Sequence, residues 1–193
     1  MRRLTLLLPL VLAACGGDHT AAGAADPAMR YGLGRPADAQ FVASLDTDID
    51  ASGAALPAGQ GSAAEGATLY AAQCAMCHAA DGAGMPPAFP RLLGRDPKAE
   101  DFAFAEDFKR AKSIGNYWPY ATTLFDYIRR AMPLTAPGSL TADQVYALTA
   151  YLLAADGVIP EGSTLDAASL RAVKMPYVDR FVWSAEAGGQ DRD

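Results

Sequence analysis

Apolar and polar positions along this chain follow a helical period in several places and no other period in most of the rest. Ser62–Gln73 is predicted as a helix, with Gly66 and Tyr70 four apart on one face and Ser62 and Glu65 in the capping-box relation. From Ala121, the residues Leu124, Ile128 and Ala131 fall in i, i+4, i+7 register, and Met132, which precedes Pro133, ends that helix. A second capping box, Thr141 with Gln144, opens a helix to about Ala154. Its stripe is Val145, Leu148 and Leu152, with Tyr151 beside it, and it stops before Gly157. Two weaker segments also read as helices: Ala37–Leu45, with Phe41 and Leu45 on one face, and Asp101–Ser113, with Phe102, Phe104 and Phe108. Between these lie the turn-rich Asp46–Gly61, a Gly- and Pro-rich loop over Asp81–Gly94, an aromatic turn over Asn116–Tyr120 and a loop over Leu134–Leu140. Ile159–Trp183 carries Leu165, Leu170, Val173, Tyr177 and Phe181 and is too apolar to be wholly solvated; Ser184–Asp193 reads as a polar tail. The elements predicted are helices, and the alanine content favours them over strands, so the expected fold class is all-α.

The first apolar run differs from the others. Leu4–Ala14 is eleven uninterrupted residues behind Met1-Arg2-Arg3, too short to span a bilayer and suited to the core of an export signal. It ends in Leu12-Ala13-Ala14-Cys15-Gly16, which resembles a bacterial lipobox, so Cys15 is the expected lipid anchor. An ordinary cleaved signal with a coincidental cysteine is the alternative. Gly16 to about Pro27 is small and polar, as a tether would be. The organisation expected is a signal over 1–14, a tether and amino-terminal arm over 15–58, one helical domain over 59–157, and a carboxy-terminal arm and tail over 158–193. The expected location is periplasmic, on a membrane through the lipid.

Composition narrows the function. Of 193 residues, 51% are hydrophobic and 20% charged, as in a folded domain. The net charge is −6, and losing Arg2 and Arg3 with the signal takes it to −8. An acidic exported chain lacks the clustered Lys and Arg that phosphate contacts need, so nucleic acid is not an expected partner. Its charge is better suited to steering a basic protein.

The chemistry is concentrated in Cys74-Ala75-Met76-Cys77-His78. Two cysteines three apart followed at once by histidine is the attachment pattern of a c-type haem. Each thiol adds across one vinyl group of the porphyrin, and the next residue brings an imidazole under the iron. Zinc would need a fourth ligand, and no second Cys or His cluster exists in the chain. A redox dithiol usually opens a helix after a strand, whereas here a helical run precedes the motif. A simple disulfide with a bystander histidine is the remaining alternative.

The second iron ligand follows by elimination. Histidine occurs only at 19 and 78, and His19 lies in the tether, which leaves methionine. Met1 leaves with the signal, Met29 is in the amino-terminal arm, Met76 is pinned between the cysteines, and Met175 is in the tail. Met85 is seven residues past His78 and would have to cross the ring edge at once. Met132 is 54 residues past His78, after a helix and before a proline. It is the candidate; a gap-filling core methionine is the alternative. Trp118, flanked by Tyr117 and Tyr120, is a candidate wall of the pocket, with an indole N–H able to bond a propionate.

Taken together, Gly66 and Tyr70, Cys74–His78, Pro90 and Leu92, Met132-Pro133 and the helix bearing Tyr151 resemble a class I cytochrome c. The resemblance spans about Gly59–Gly157. It implies helices around one covalent haem c, with Gly66 near Tyr151 where the first and last helices cross, and the Pro90 carbonyl accepting from His78. Outside that core, Tyr31–Pro36, Gly115–Pro133 and Met175-Pro176 are similar to the cytochrome subunit of the Sox sulfur dehydrogenase and to haem subunits of related sulfite dehydrogenases. This resemblance implies an electron carrier and not an enzyme. Its donor would be a molybdenum-containing sulfite or sulfur dehydrogenase and its acceptor another cytochrome or an oxidase. A generic carrier for another periplasmic dehydrogenase and a haem peroxidase are the rival expectations. The single haem motif and the lipobox depart from the larger Sox subunits.

Overall fold

The computed structural model describes residues 36–95, 104 and 107–182. The chain divides into two compact units, Met1–Asp46 and Thr47–Asp193. The described part of the first holds α1 (Ala39–Leu45), started by Asp38, whose carboxylate accepts from the amides of Gln40 and Phe41 at 2.9 and 3.2 Å. The export signal, Cys15, His19, Met29 and the tether lie outside the described residues.

In the second unit the chain runs through β1 (Gln60–Ser62), α2 (Ala63–Gln73), α3 (Ala75–His78), α4 (Ile114–Tyr117), α5 (Ala121–Ala131), α6 (Ala142–Ala155), β2 (Thr164–Asp166) and α7 (Ala167–Arg171). The three long helices are those the periodicity predicts. At the start of α2 the Ser62 hydroxyl accepts from the Glu65 amide at 3.3 Å, and the Glu65 carboxylate accepts from the Ser62 amide at 2.9 Å. The Ser62 hydroxyl and then the Ser62 amide hold the Glu65 carboxyl below its usual pKa. Met132 caps α5 with an extended backbone, as a residue before proline should.

α6 is the centre of the core. Val145, Tyr146, Ala147, Leu148, Thr149, Ala150, Leu152, Leu153 and Ala154 are all buried, a wider face than the single stripe read from the sequence. Thr149 meets its hydroxyl's need locally, donating to the Val145 carbonyl at 2.7 Å. α2 lies directly on α6: a Cβ on Gly66 would sit 1.9 Å from the Ala147 carbonyl oxygen. β1 approaches the same turn, where a Cβ on Gly61 would sit 2.3 Å from the Ala147 amide nitrogen. Two backbones thus reach the same turn of α6 only because both carry glycine.

Three features depart from the sequence reading. First, the fold is helical but includes a two-stranded antiparallel ribbon, with Gln60 opposite Asp166, Gly61 opposite Leu165 and Ser62 opposite Thr164. Strands of three residues are too short to show alternation. Second, the described residues of 101–113 form turns and extended chain instead of a helix. Asp107 closes the turn by accepting the Lys109 amide at 3.0 Å, a local bond that competes with helix formation. Third, the expected aromatic turn begins as the one-turn helix α4, capped by a reciprocal pair between Ser113 and Asn116.

The domain boundaries expected at Gly59 and Gly157 fall inside this unit. Ile49 from the amino-terminal side and Leu165, Leu170 and Met175 from the carboxy-terminal side are buried in the same core as α2, α5 and α6. The chain at Thr47–Ala51 is fastened to α5 by polar contacts. The buried Asp126 carboxylate accepts from the Ile49 amide at 3.0 Å and pairs with Arg130, the Thr122 hydroxyl donates to the Ala51 carbonyl at 3.1 Å, and Arg129 donates to the Thr47 carbonyl at 2.9 Å.

Candidate haem-binding site

Cys74 ends α2 and α3 follows at once, so Cys77 and His78 lie on the next turn of chain, with the amides of both bonded to the Cys74 carbonyl at 3.1 and 2.9 Å. Both cysteines are half-buried and neither is in a disulfide. Burial, and then the neighbouring Cys77, push the Cys74 thiol above its usual pKa. Among the described residues no three His, Cys, Asp or Glu side chains gather as a metal-binding cluster, so the zinc alternative has no fourth ligand in this region either.

His78 has a defined tautomer. Its Nδ1 lies 3.0 Å from the Pro90 carbonyl oxygen, and a carbonyl only accepts. Nδ1 therefore carries the proton and Nε2 keeps a lone pair for a metal. Pro90 is held in place by its loop: the amides of Leu92 and Leu93 donate to the Gly82 carbonyl at 2.8 and 3.1 Å, and the Gly84 amide donates to the His78 carbonyl at 2.9 Å. A Cβ on Gly84, where φ is +73°, would lie 2.6 Å from the Pro90 carbonyl, so glycine is needed there on two counts.

Immediately after His78 the chain is strained. Ala79 has φ 62° and ψ 159°, an unusual backbone for a residue with a Cβ. The buried Tyr70 hydroxyl stabilises this turn by donating to the carbonyls of Ala79 and His78 at 2.9 and 3.3 Å. Burial first, and the neighbouring Tyr151 next, push the Tyr70 phenol up to about 12, so it stays a donor across the ordinary pH range. The Tyr70 and Tyr151 rings pack 5.1 Å apart beside Gly66. Tyr70→Phe is expected to lower stability by about 1–2 kcal/mol, since it removes a buried donor and leaves the Ala79 and His78 carbonyls with only the Gly82 and Gly84 amides as partners. Urea unfolding of the two proteins would check it; equal midpoints would mean that the strained turn does not depend on this hydroxyl.

Leu92, Trp118 and Met132 are half-buried and pack against the core. The Trp118 indole N–H donates to the Thr123 hydroxyl at 3.0 Å, so its proton already has a partner within the chain. The Trp118 ring packs on Tyr127 at 5.7 Å, and Tyr117 lies between Phe104 and Phe181 at 4.8 and 5.7 Å. The other described methionines occupy different environments. Met175 is buried in the core at 1% exposure, Met76 is 78% exposed on α3, and Met85 is 45% exposed in a turn bridged to Phe89.

One residue of this region has no counterpart in the sequence reading. Asp156, the C-cap of α6, is 4% exposed and its carboxylate accepts four hydrogen bonds. Oδ1 accepts from the amides of Gly94 and Arg95, both at 2.7 Å, and Oδ2 accepts from the Ser113 hydroxyl at 2.7 Å and the Gly115 amide at 2.6 Å. In the sequence, an aspartate before Gly157 signals only the end of a helix.

The residues present fit a c-type haem: two thiols at the attachment spacing, an imidazole with its Nε2 lone pair free, and a half-buried thioether on a later loop. Comparison with known proteins points the same way. The sequence profile of the cytochrome c family matches residues 63–156. The sulfane dehydrogenase SoxCD from Paracoccus pantotrophus is similar in structure, with a TM-score of 0.66 and 32% identity, over 82% of this chain and 74% of that one. The thiosulfate dehydrogenase TsdBA from Marichromatium purpuratum matches with a TM-score of 0.35 and 30% identity, over 48% of this chain and 17% of that one. No curated protein sequence matches the chain. With the attachment motif, the His78 geometry and a relative matched over most of both chains, this protein belongs to the cytochrome c family, as a class I c-type cytochrome that resembles the Sox cytochromes and carries one covalently bound haem c.

Proposed function

We propose that this cytochrome is a periplasmic electron carrier that takes single electrons from a molybdenum-containing sulfite or sulfur dehydrogenase and passes them to another cytochrome or an oxidase. The likeness to SoxCD, at 32% identity over 82% of the chain, is the observation that carries the sulfur assignment. Bound haem supplies a one-electron iron couple; the chain supplies the rest. Cys74 and Cys77 fasten the haem, and His78 ligates the iron through Nε2 while Pro90 fixes the imidazole ring. Met132 is the second ligand, and Leu92 and Trp118 wall the pocket. His78 and Met132 together would give the iron two protein ligands, and a thioether ligand would raise the reduction potential, which suits a carrier rather than a peroxidase.

The signal over 1–14 exports the chain, and a lipid on Cys15 anchors it, with the residues that follow as its tether. Among the described residues no helix is long and apolar enough to cross a membrane.

The test is isolation of the intact holoprotein with its native partner, identification of the partner by mass, and stopped-flow reduction of the haem by that partner. A molybdenum subunit that reduces the haem when given sulfite or a sulfane substrate is the expected result. A partner that oxidises an alcohol, a sugar or an amine would replace the sulfur assignment with a general carrier role.

A further inference from the structure

The position of Asp156 is unfavourable on two counts before its partners are considered. A carboxylate at the C-terminus of a 14-residue helix meets the negative end of the helix dipole. At 4% exposure it has also lost most of its water. Four donors at 2.6–2.7 Å replace that water, and they come from two separate pieces of chain. Gly94 and Arg95 lie four and five residues after Pro90 on the same segment. Ser113 and Gly115 begin α4, which leads to Trp118. The two pieces are also joined directly, the Ile114 amide donating to the Leu92 carbonyl at 2.8 Å. Gly115 has no room for a side chain, since a Cβ there would lie 2.7 Å from the Asp156 carboxylate. The Arg95 guanidinium turns away to the Gly157 carbonyl at 3.1 Å, and the pair forms no salt bridge. All four hydrogen bonds to the carboxylate thus come from neutral groups.

We infer that Asp156 is a positioning residue for the haem iron: its carboxylate clamps the Leu92–Arg95 segment so that the Pro90 carbonyl stays on His78 Nδ1. The inference rests on His78 being the iron ligand. A firm Nδ1–H···O=C bond makes the imidazole more electron-donating, which stabilises ferric iron. Removing the carboxylate therefore raises the midpoint potential.

Asp126 provides the control. It is also a buried carboxylate, at 6% exposure, that ties down a distant segment by accepting the Ile49 amide, but its bonds lead to Arg130 and Ile49, away from the Pro90 loop. The experiment uses full-length holoprotein and reads two quantities in Asp156→Asn and Asp126→Asn: the midpoint potential, and the solvent-exchange rate of the His78 Nδ1 proton by NMR. Asp156→Asn is expected to raise the potential and to speed that exchange at least several-fold, while Asp126→Asn loses stability and leaves both readings in place. Ser113→Ala, which removes one of the four bonds and keeps Asp156 itself, gives a second route if Asp156→Asn does not fold; its exchange rate is expected to exceed that of the unsubstituted protein. An unchanged potential and exchange rate in Asp156→Asn, an unchanged exchange rate in Ser113→Ala, or equal shifts in Asp126→Asn would overturn the inference. The spectrum of the unsubstituted protein is read first. Without histidine ligation there, the ligand reading itself fails and the inference falls with it.

Discussion

Gly66→Ala is expected to destabilise the holoprotein by about 3 kcal/mol or more, at the upper end of what overpacking a core costs. In an isolated helix the same change stabilises by about 1 kcal/mol, because alanine is the better helix former. Here the contact reverses the sign. The added Cβ would lie 1.9 Å from the Ala147 carbonyl oxygen, 2.5 Å from its carbon and 2.7 Å from the Tyr151 Cβ. Two of those atoms are helix backbone and cannot swing aside. Relief requires α2 and α6 to part, and α6 carries the most buried residues of any element. The same separation would move Tyr70 on α2 away from Tyr151 and disturb the turn after His78. Gly162→Ala is the control, since nothing lies within 4 Å of a Cβ there and the effect should stay within about 0.5 kcal/mol. Urea midpoints of the two variants make the comparison. Equal midpoints would show that α2 and α6 do not pack through Gly66.

The difference between those glycines shows what the sequence can and cannot disclose. Gly66 is informative because it sits four residues before Tyr70 on a capped helix and eight before Cys74, so its spacing marks a helix contact. Gly61 makes an equally close approach to Ala147, yet it lies in a Gly- and Ser-rich stretch that reads as linker. Its role depends on pairing with Leu165, more than a hundred residues away, and no local period reports that. The same holds for the carboxy-terminal arm. Leu165 and Leu170 read as too apolar for solvent and Met175 only as a tail residue, but the fold places all three in the core around α6.

Site residues divide along the same line. Cys74, Cys77 and His78 are contiguous and their chemistry demands a fixed spacing, so a single reading finds them. Pro90 enters only through family likeness, although the 3.0 Å approach to His78 Nδ1 has a simple physical purpose. Asp156 was not visible at all. A carboxylate that serves four donors on two other segments leaves no mark in its own neighbourhood, where Asp-Gly at a helix end signals a stop. The helix expected over 101–113 is absent from its described residues for the opposite reason. Three phenylalanines among charges imitate an amphipathic pattern, but Asp107 bonds the backbone of its own turn, and Phe104 is drawn into a ring contact with Tyr117.

Met132→Ala is expected to abolish the weak iron–sulfur charge-transfer band at the red end of the visible spectrum, to lower the midpoint potential, and to let the reduced protein bind carbon monoxide. Each effect follows from losing a thioether ligand: the band arises from the iron–sulfur bond, methionine raises the potential, and an open axial position accepts a diatomic ligand. The environments of the four described methionines sharpen the choice beyond sequence distance. Met175 is fully committed to the core, so Met175→Ala should cost about 2–5 kcal/mol of stability and leave the band unchanged. Met76 stands between the two attachment cysteines, two residues before His78, and is 78% exposed. Met85 lies in the loop that closes on the Pro90 side, in a bridge whose amides and carbonyls pair with Phe89 at 3.0 and 3.1 Å. Met132 alone combines partial burial, contact with the core and a position on a segment separate from the His78 loop, fixed by its cap bond to the Ile128 carbonyl at 3.1 Å. Absorbance spectra of the oxidised variants, followed by carbon monoxide addition to the reduced ones, decide between them. If Met85→Ala removes the band and Met132→Ala retains it, the ligand is Met85, and the Pro90 loop would then have to supply a group to each face of the haem.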